Sequence, residues 1–350
     1  MEHRRLGKTG HQVSTIGFGA WAIGGSWGEV DDEVSLRALH AAADVGVTLI
    51  DTADVYGDGR SELLIGRFLR ERAGEHFVVA TKMGRSVPQV AANYTPEAFR
   101  GWVDGSRERL GVDRLDLVQL HCPPTEVYYR PDLFAALDDL VADGSIAAYG
   151  VSVERVEEAL KAIEYPGVAS VQIIYNLVRQ RPADHFLAEA ARRNVGVLAR
   201  VPLASGLLTG KLTRDTAFEP DDHRAFNRHG ESFDVGETFA GLDYETGLEL
   251  VDELRALVPH GATLAQAALR WILMADEVTA AIPGAKTPDQ ARANAAAADL
   301  APLPPATMER IRELYDERAK PLVHQRWLGT GRPAGWPGRP RAGRSGDDGN

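Results

Sequence analysis

The stretch VTLIDTADVYGDGR, residues 47–60, runs from an apolar, β-branched segment straight into Asp51, Asp54, Tyr56 and a glycine turn. β-Branched residues favour strands, and Asp and Gly favour the turns that end them. The segment therefore reads as a buried strand that releases two acids and a phenol into a tight loop. The same grammar recurs along the chain. STIGFGA (14–20), VTLID (47–51), FVVATK (77–82), LDLVQLH (115–121), IAAYGVS (146–152), ASVQIIY (169–175), VGVLARV (195–201) and VTAAIP (278–283) make eight strand candidates.

Amphipathic segments with helix punctuation separate them. Residues 31–45 open with acids and stop at Gly46; Thr95 and Pro96 offer an N-cap and a first helical residue. Leu133, Leu137, Leu140 and Val141 share a helical face that ends at Gly144. Alternating strands and helices imply a parallel sheet. Eight such units suit an α/β fold of the eight-stranded parallel (β/α)8 TIM type better than an open sheet. Residues 1–14 read as an N-terminal β-hairpin turning at Thr9–Gly10 and plugging one barrel mouth. Two helices, about 245–258 and 305–319, are additional to the eight. We expect one barrel domain over residues 1–320, a functional lid at about 208–243, and a disordered basic tail at 328–350 that is rich in Gly, Pro and Arg.

Composition narrows the functional classes. The chain has 350 residues, 44% hydrophobic and 25% charged, with a net charge of −11. That balance fits a globular protein with a large core, and argues against nucleic acid or an anionic membrane as principal partner. The one cysteine, Cys122, permits no intramolecular disulfide. There is no apolar signal-peptide core at the N-terminus and no apolar run near the roughly 18 residues of a spanning helix. A cytoplasmic location is expected.

Two motifs are decoys. GFGAWA (17–22) matches G-x-G-x-x-A, but IGGSWGEV intervenes before a helix can open. Asp51 also lies 34 positions beyond Gly17, not the ~20 that a dinucleotide fingerprint requires. The glycines instead let the backbone approach a ligand, with Trp21 and Trp27 as pocket walls. His223 and His229, among Asp221, Asp222 and Glu231, form a metal-like mixture with irregular spacing and are assigned to solvated surface; no metal site is expected.

In a (β/α)8 barrel, chemistry gathers at the C-terminal ends of the strands. Those ends carry Asp51 with Tyr56 just beyond, Lys82, His121, Ser152, Gln172 with Tyr175 and Asn176, and Arg200. An acid, a phenol, an ammonium and an imidazole at one mouth suit carbonyl reduction, in which charge develops on oxygen and must be met by a proton and a hydrogen bond. Lys82 would lower the Tyr56 pKa, Asp51 would hold Lys82, and neutral His121 would orient the carbonyl.

DTADVYG, ATKMG, LHCP, YGVS, VQIIYN, PLASGLLTGK and IPGAKTPDQARAN, in that order over about residues 4–318, resemble the signature segments of the aldo-keto reductases, the longer bacterial-type members in particular. The resemblance implies the barrel, a nicotinamide cofactor bound without a Rossmann motif, and reversible reduction of aldehydes or ketones. Asp51, Tyr56, Lys82 and His121 take the catalytic tetrad positions, with Tyr56 as general acid. Ser152, Gln172 and Asn176 would meet the nicotinamide carboxamide and Tyr175 would stack on its ring. Pro202, Leu203, Ser205, Gly206, Leu207 and Lys211 would line the pyrophosphate; Gly284, Lys286, Gln290 and Asn294 would hold the adenosine end. Lys286 at a helix N-terminus favours NADP(H) over NAD(H).

Tyr128 or Tyr129 would join Trp21 and Trp27 in a pocket for a small-molecule carbonyl substrate. The sequence departs from the family pattern at Val153 and at Arg200, which either meets a phosphate or acidic substrate group or forms a structural ion pair. Cys122 is either an exposed redox-sensitive thiol or a packing residue. The alternative reading is a cofactor-binding regulatory subunit resembling potassium-channel β subunits, with little turnover. Oligomeric state is open.

Overall fold

The computed structural model describes residues 1–25 and 31–324; Trp27 and the 328–350 tail lie outside them. The N-terminal hairpin pairs β1 (His3–Arg5) with β2 (Gln12–Ser14) in antiparallel register, His3 opposite Ser14. Gly10, at φ 82°, takes the left-handed turn conformation that glycine adopts without steric cost.

Eight parallel strands follow: β3 (Phe18–Gly19), β4 (Leu49–Asp51), β5 (Val78–Met83), β6 (Leu117–His121), β7 (Tyr149–Ser152), β8 (Val168–Ile174), β9 (Gly196–Arg200) and β10 (Ala280–Ala281). They lie in one sheet in consecutive order. The sheet closes on itself through parallel bridges Ile16–Ala281 and Gly19–Gly284, with the Gly17 amide donating to the Ala281 carbonyl at 2.8 Å. β3 and β10 are shorter than their apolar runs suggested. Pro283 has no amide to extend the ladder, and a Cβ on Gly19 would sit 2.7 Å from the Ile282 carbonyl oxygen.

Helices wrap the sheet as the punctuation indicated. After α1 (Trp21–Gly24), α2 (Asp32–Asp44) begins where the Asp31 carboxylate accepts from the amides of Glu33 and Val34. α3 (Arg60–Glu71) turns Leu64, Ile65 and Phe68 into the core, each worth roughly 1.5–3 kcal/mol of burial. α4 (Pro96–Leu110) is capped by Thr95 and stopped by left-handed Gly111. α5 (Pro131–Ala142), α6 (Val156–Ala162) and α7 (Phe186–Arg192) complete the middle of the ring.

After β9, the segment expected to be a lid contains the short α8 (His223–Phe226) and two tight turns, and packs against the strand ends. The two additional helices appear as α9 (Tyr244–Arg255), ahead of α10 (Leu264–Leu273), and as α12 (Pro305–Leu314), after α11 (Pro288–Ala295).

The barrel interior is layered. Leu6 and Val13 from the hairpin join Leu49, Val78, Leu117, Ala148, Leu198, Ala280 and Ile282 in an apolar floor. Above it the inward residues turn polar: Gln119, Ser170 and Gln172, then Asp51, Lys82 and His121, all buried. Side chains alternate faces along a strand, so a buried lysine two residues beyond Ala80 points into the barrel by register alone. No helix among the described residues is long and apolar enough to cross a membrane.

Candidate active site

Five segments distant in sequence meet at the C-terminal mouth. Lys82, 0% exposed, spends all three ammonium protons: it donates to Asp51 Oδ1 at 2.7 Å, to the Thr52 carbonyl at 2.8 Å and to the Tyr56 hydroxyl at 3.0 Å. Gln172 Nε2 donates to the other Asp51 oxygen at 2.6 Å. The His121 ring stands edge-on to Tyr56, centroids 5.9 Å apart, and Trp21 lies over the tyrosine at 6.1 Å.

Tyr56 is placed by its turn. Gly57, at φ 64°, lies so close to the Gly24 carbonyl oxygen that a Cβ there would sit 1.8 Å away. The α1 segment and the tyrosine loop are thereby pressed together.

The electrostatics follow from burial among charges. Desolvation works against the Lys82 charge, yet Asp51 and Tyr56 outweigh it and hold the ammonium pKa above its ordinary value. For Tyr56 the balance differs from the sequence expectation. Burial is the largest influence and raises the phenol pKa; Lys82 pulls it down without fully compensating, and Asp51 pushes it up again. His121 is driven well below the usual imidazole range by burial and by Arg85, Lys82 and Arg200, so it is neutral. Its Nδ1 is buried with no partner among the described residues.

Several expected contacts lie elsewhere. Gln172 points inward, so Tyr175, an odd number of residues on, points outward; it is 4% exposed and packs on Trp271 of α10 at 5.0 Å. It cannot stack on a ligand at the mouth. Asn176 uses its amide within the chain, donating to the Val201 carbonyl and accepting from the Val178 amide. Tyr128 is 0% exposed because the 3₁₀ turn Thr125–Tyr129 folds it into the core and leaves Tyr129 64% exposed; Tyr128 does not line an open pocket. Cys122 is buried beside Ser152 at 3.7 Å, its thiol pushed up to about 12 mainly by desolvation, which settles it as a packing residue. His223 is fully buried against Trp21 at 4.6 Å, so its assignment to solvated surface is overturned.

Two regions fit a dinucleotide. Beyond β9, Val201, Ala204, Ser205 and Gly206 all have positive φ, between 47° and 93°, the backbone form of anion-binding concavities. Ser205 Oγ is held by the Glu237 carbonyl and the Phe239 amide, and Leu207 is buried in the core, so these two would offer backbone rather than side chain. Pro202 is buried, Leu203 and Gly206 are half-buried, and Lys211 is exposed. At α11, Gln290 accepts from the Lys286 amide at 2.7 Å and Asn294 donates to the Gly284 carbonyl at 3.1 Å. Burial and the neighbouring Arg224 of α8 lower the Lys286 pKa. Arg224 is itself held by the Asp222 carboxylate at 2.6 Å, so Lys286 beside the α11 N-terminus is the setting for a phosphate.

A second charged cluster was not read from the sequence. Arg85, just beyond Lys82, has its Nη2 3.1 Å from both Glu154 and Glu237. Arg200 Nη1 lies 3.4 Å from Glu237, and its Nη2 donates to the Val153 carbonyl at 3.0 Å. Arg85 was legible as the residue after TKMG; Glu237 carries no periodic signal.

Known proteins show the same architecture. The Aldo/keto reductase family profile matches residues 15–316. Aldo-keto reductase YhdN of Bacillus subtilis is 32% identical over 84% of this chain and 87% of its own length. The NADH-specific methylglyoxal reductase of Escherichia coli is 30% identical over 84% and 93%. The structure of a glycerol dehydrogenase from Gluconobacter oxydans superposes with a TM-score of 0.74 at 32% identity, covering 90% of this chain and 95% of that one. With the barrel, the order of its strand ends and these relatives in agreement, the chain belongs to the aldo/keto reductase family.

Proposed function

We propose that the protein reduces an aldehyde or ketone to an alcohol with a nicotinamide cofactor, reversibly, and that Tyr56 is its general acid. The observation that carries the reading is the hydrogen bond from Lys82 to the Tyr56 hydroxyl, with Asp51 behind the lysine. Because the Tyr56 oxygen accepts from the ammonium, its own proton is directed away from Lys82 and is free for a carbonyl oxygen.

A nicotinamide, when bound here, would supply the hydride for the carbonyl carbon. Tyr56 gives its proton to the oxygen as the C=O π pair moves there, and Lys82 stabilises the phenolate left behind. Neutral His121 donates to the same oxygen without competing as an acid. Gln172 fixes the second Asp51 oxygen and so holds the lysine carboxylate in one orientation. Ser152 sits at the adjoining strand end, where the carboxamide would lie, and Trp21 forms a wall of the substrate pocket.

Lys286 beside the α11 N-terminus supports NADP(H) over NAD(H), since both would favour a ribose phosphate there; the NADH-specific relative makes this the point to test. The intact Asp51–Lys82–Tyr56 geometry favours turnover over a purely regulatory, cofactor-sensing role. Tyr56→Phe is expected to lower turnover of an aldehyde roughly 10²–10⁴-fold while leaving cofactor-induced fluorescence quenching within twofold. Retained turnover would remove Tyr56 from the role.

A further inference from the structure

We propose that Gln119 and Ser170 hold an internal water molecule inside the barrel, beside the catalytic lysine, and that Gln119 thereby acts as a positioning residue for the Lys82–Asp51–Tyr56 cluster. The water site stands on the barrel geometry alone; its effect on catalysis rests on the carbonyl-reduction reading.

Strand register places the two side chains. Gln119 pairs with Lys82 on one side and with Gly150 on the other, and Gly150 pairs in turn with Ser170. Lysine, glutamine, glycine and serine therefore form one row across β5, β6, β7 and β8. Gln119 lies between Leu117 of the apolar floor and His121 of the mouth, two residues from each, so it faces the barrel interior with them. Ser170 turns inward through an irregularity. The β7–β8 register runs from Tyr149 opposite Val168 to Gly150 opposite Ser170, skipping Ala169, and a bulge of this kind re-aims a side chain. Ala169 joins the floor, while Ser170 shares its face with Gln172, which reaches Asp51. Gly150 makes the room, because a Cβ there would sit 2.2 Å from the Ser170 hydroxyl oxygen.

Both side chains are fully buried, yet Gln119 Nε2, Gln119 Oε1 and Ser170 Oγ have no hydrogen-bond partner among the described residues. Leaving such atoms unmet costs their full desolvation, and native interiors pair them with protein or with ordered water. The amide offers a donor and an acceptor, and the hydroxyl offers either. Their ligand must therefore do both and be small enough for a closed interior. Water meets these terms, with the two to four polar contacts that an internal water needs. The Lys82 ammonium one strand away disfavours a cation in the same place.

Lys82 gives its three protons to Asp51, Thr52 and Tyr56, so the water is not a further ligand of the ammonium. It acts at one remove, as a dipole that can turn in an otherwise apolar interior. When Tyr56 yields its proton, the cluster passes from neutral to a single net negative charge. An orientable dipole stabilises the second state more than the first.

A high-resolution crystal structure should show a water about 2.7–3.2 Å from both the Gln119 amide and the Ser170 hydroxyl. The two side chains bonded to each other, with nothing between them, would overturn the site. Gln119→Met keeps the volume and removes the amide, so it should lose the water. It should also raise the break in the pH profile of kcat for alcohol oxidation, where Tyr56 acts as the base, by roughly half to one unit, a three- to tenfold change in phenolate at fixed pH. Ser170→Ala should shift the break in the same direction by less, and carries the test if Gln119→Met does not fold. A variant that loses the water and slows equally at every pH, with the break unmoved, would show that Gln119 only packs and would end the positioning role. A protein that holds the water but turns over neither aldehyde nor alcohol would remove the reductase reading and keep the site; a dry interior in an active reductase would do the opposite.

Discussion

At the scale of single residues, a buried ion is stable only where every proton or lone pair is met, and Lys82 meets that condition through Asp51, Thr52 and Tyr56. Asp54 does not. Burial and the nearby Glu62 raise its carboxyl from about 3.8 to about 6, with the Val55 and Gly84 amides and Arg109 opposing, and its Oδ1 has no partner among the described residues. A raised acid pKa means that the folded state binds the proton more tightly than the unfolded chain. Stability therefore falls as pH climbs from about 4 to about 6 and stays lower above that. Asp54→Asn should remove this slope and stabilise the protein at pH 7.5 by on the order of 1–3 kcal/mol, with little change at pH 4. Urea titrations at both values check it. Lys286→Ala should weaken NADPH at least tenfold more than NADH in fluorescence titrations, because only the former carries the ribose phosphate. Equal weakening would move the phosphate elsewhere.

At the scale of elements, much was legible because strand and helix periods dominate. The residues that the sequence nominated at strand ends, Asp51, Lys82, His121, Ser152, Gln172 and Arg200, are all buried around one mouth. Tyr175 was misjudged because nearness to a strand end says nothing of which face a residue takes; parity with Gln172 would have corrected it. Tyr128 was misjudged because a 3₁₀ turn inverts the inside and outside of neighbours. Glu237, His223 and Arg224 were missed or misread because they lie in a loop whose approach to the mouth depends on tertiary contacts, which no local pattern encodes. The tyrosine turn offers a test of element packing. Gly57→Ala forces a Cβ against the Gly24 carbonyl at a positive φ, so it should destabilise the fold by roughly 1–3 kcal/mol. It should also cut kcat while leaving cofactor affinity near wild type, a split that separates misplacement of Tyr56 from general unfolding.

At the scale of the whole molecule, the barrel divides its work between its ends. The hairpin seals the floor, with Arg4 donating to the carbonyls of Leu273, Ala275 and Val278 and Leu6 buried at the centre. Leu6→Ala should cost about 2–5 kcal/mol of stability and leave the rate with saturating aldehyde within twofold, measured by urea denaturation and steady-state kinetics. A large loss of kcat in a folded Leu6→Ala protein would show that floor and mouth are coupled.

The seam between β3 and β10 has a consequence for biosynthesis. Residues 16–19 find their closing partners only at 281–284, so a ribosome must release almost the entire fold before the first strand can be covered on both sides. Until then the nascent chain carries an open edge beside a half-built catalytic mouth, and such edges recruit other chains. Chaperone demand during synthesis should therefore track the delay before residues 278–284 emerge, and slowing translation upstream of them should reduce yield more than slowing it downstream.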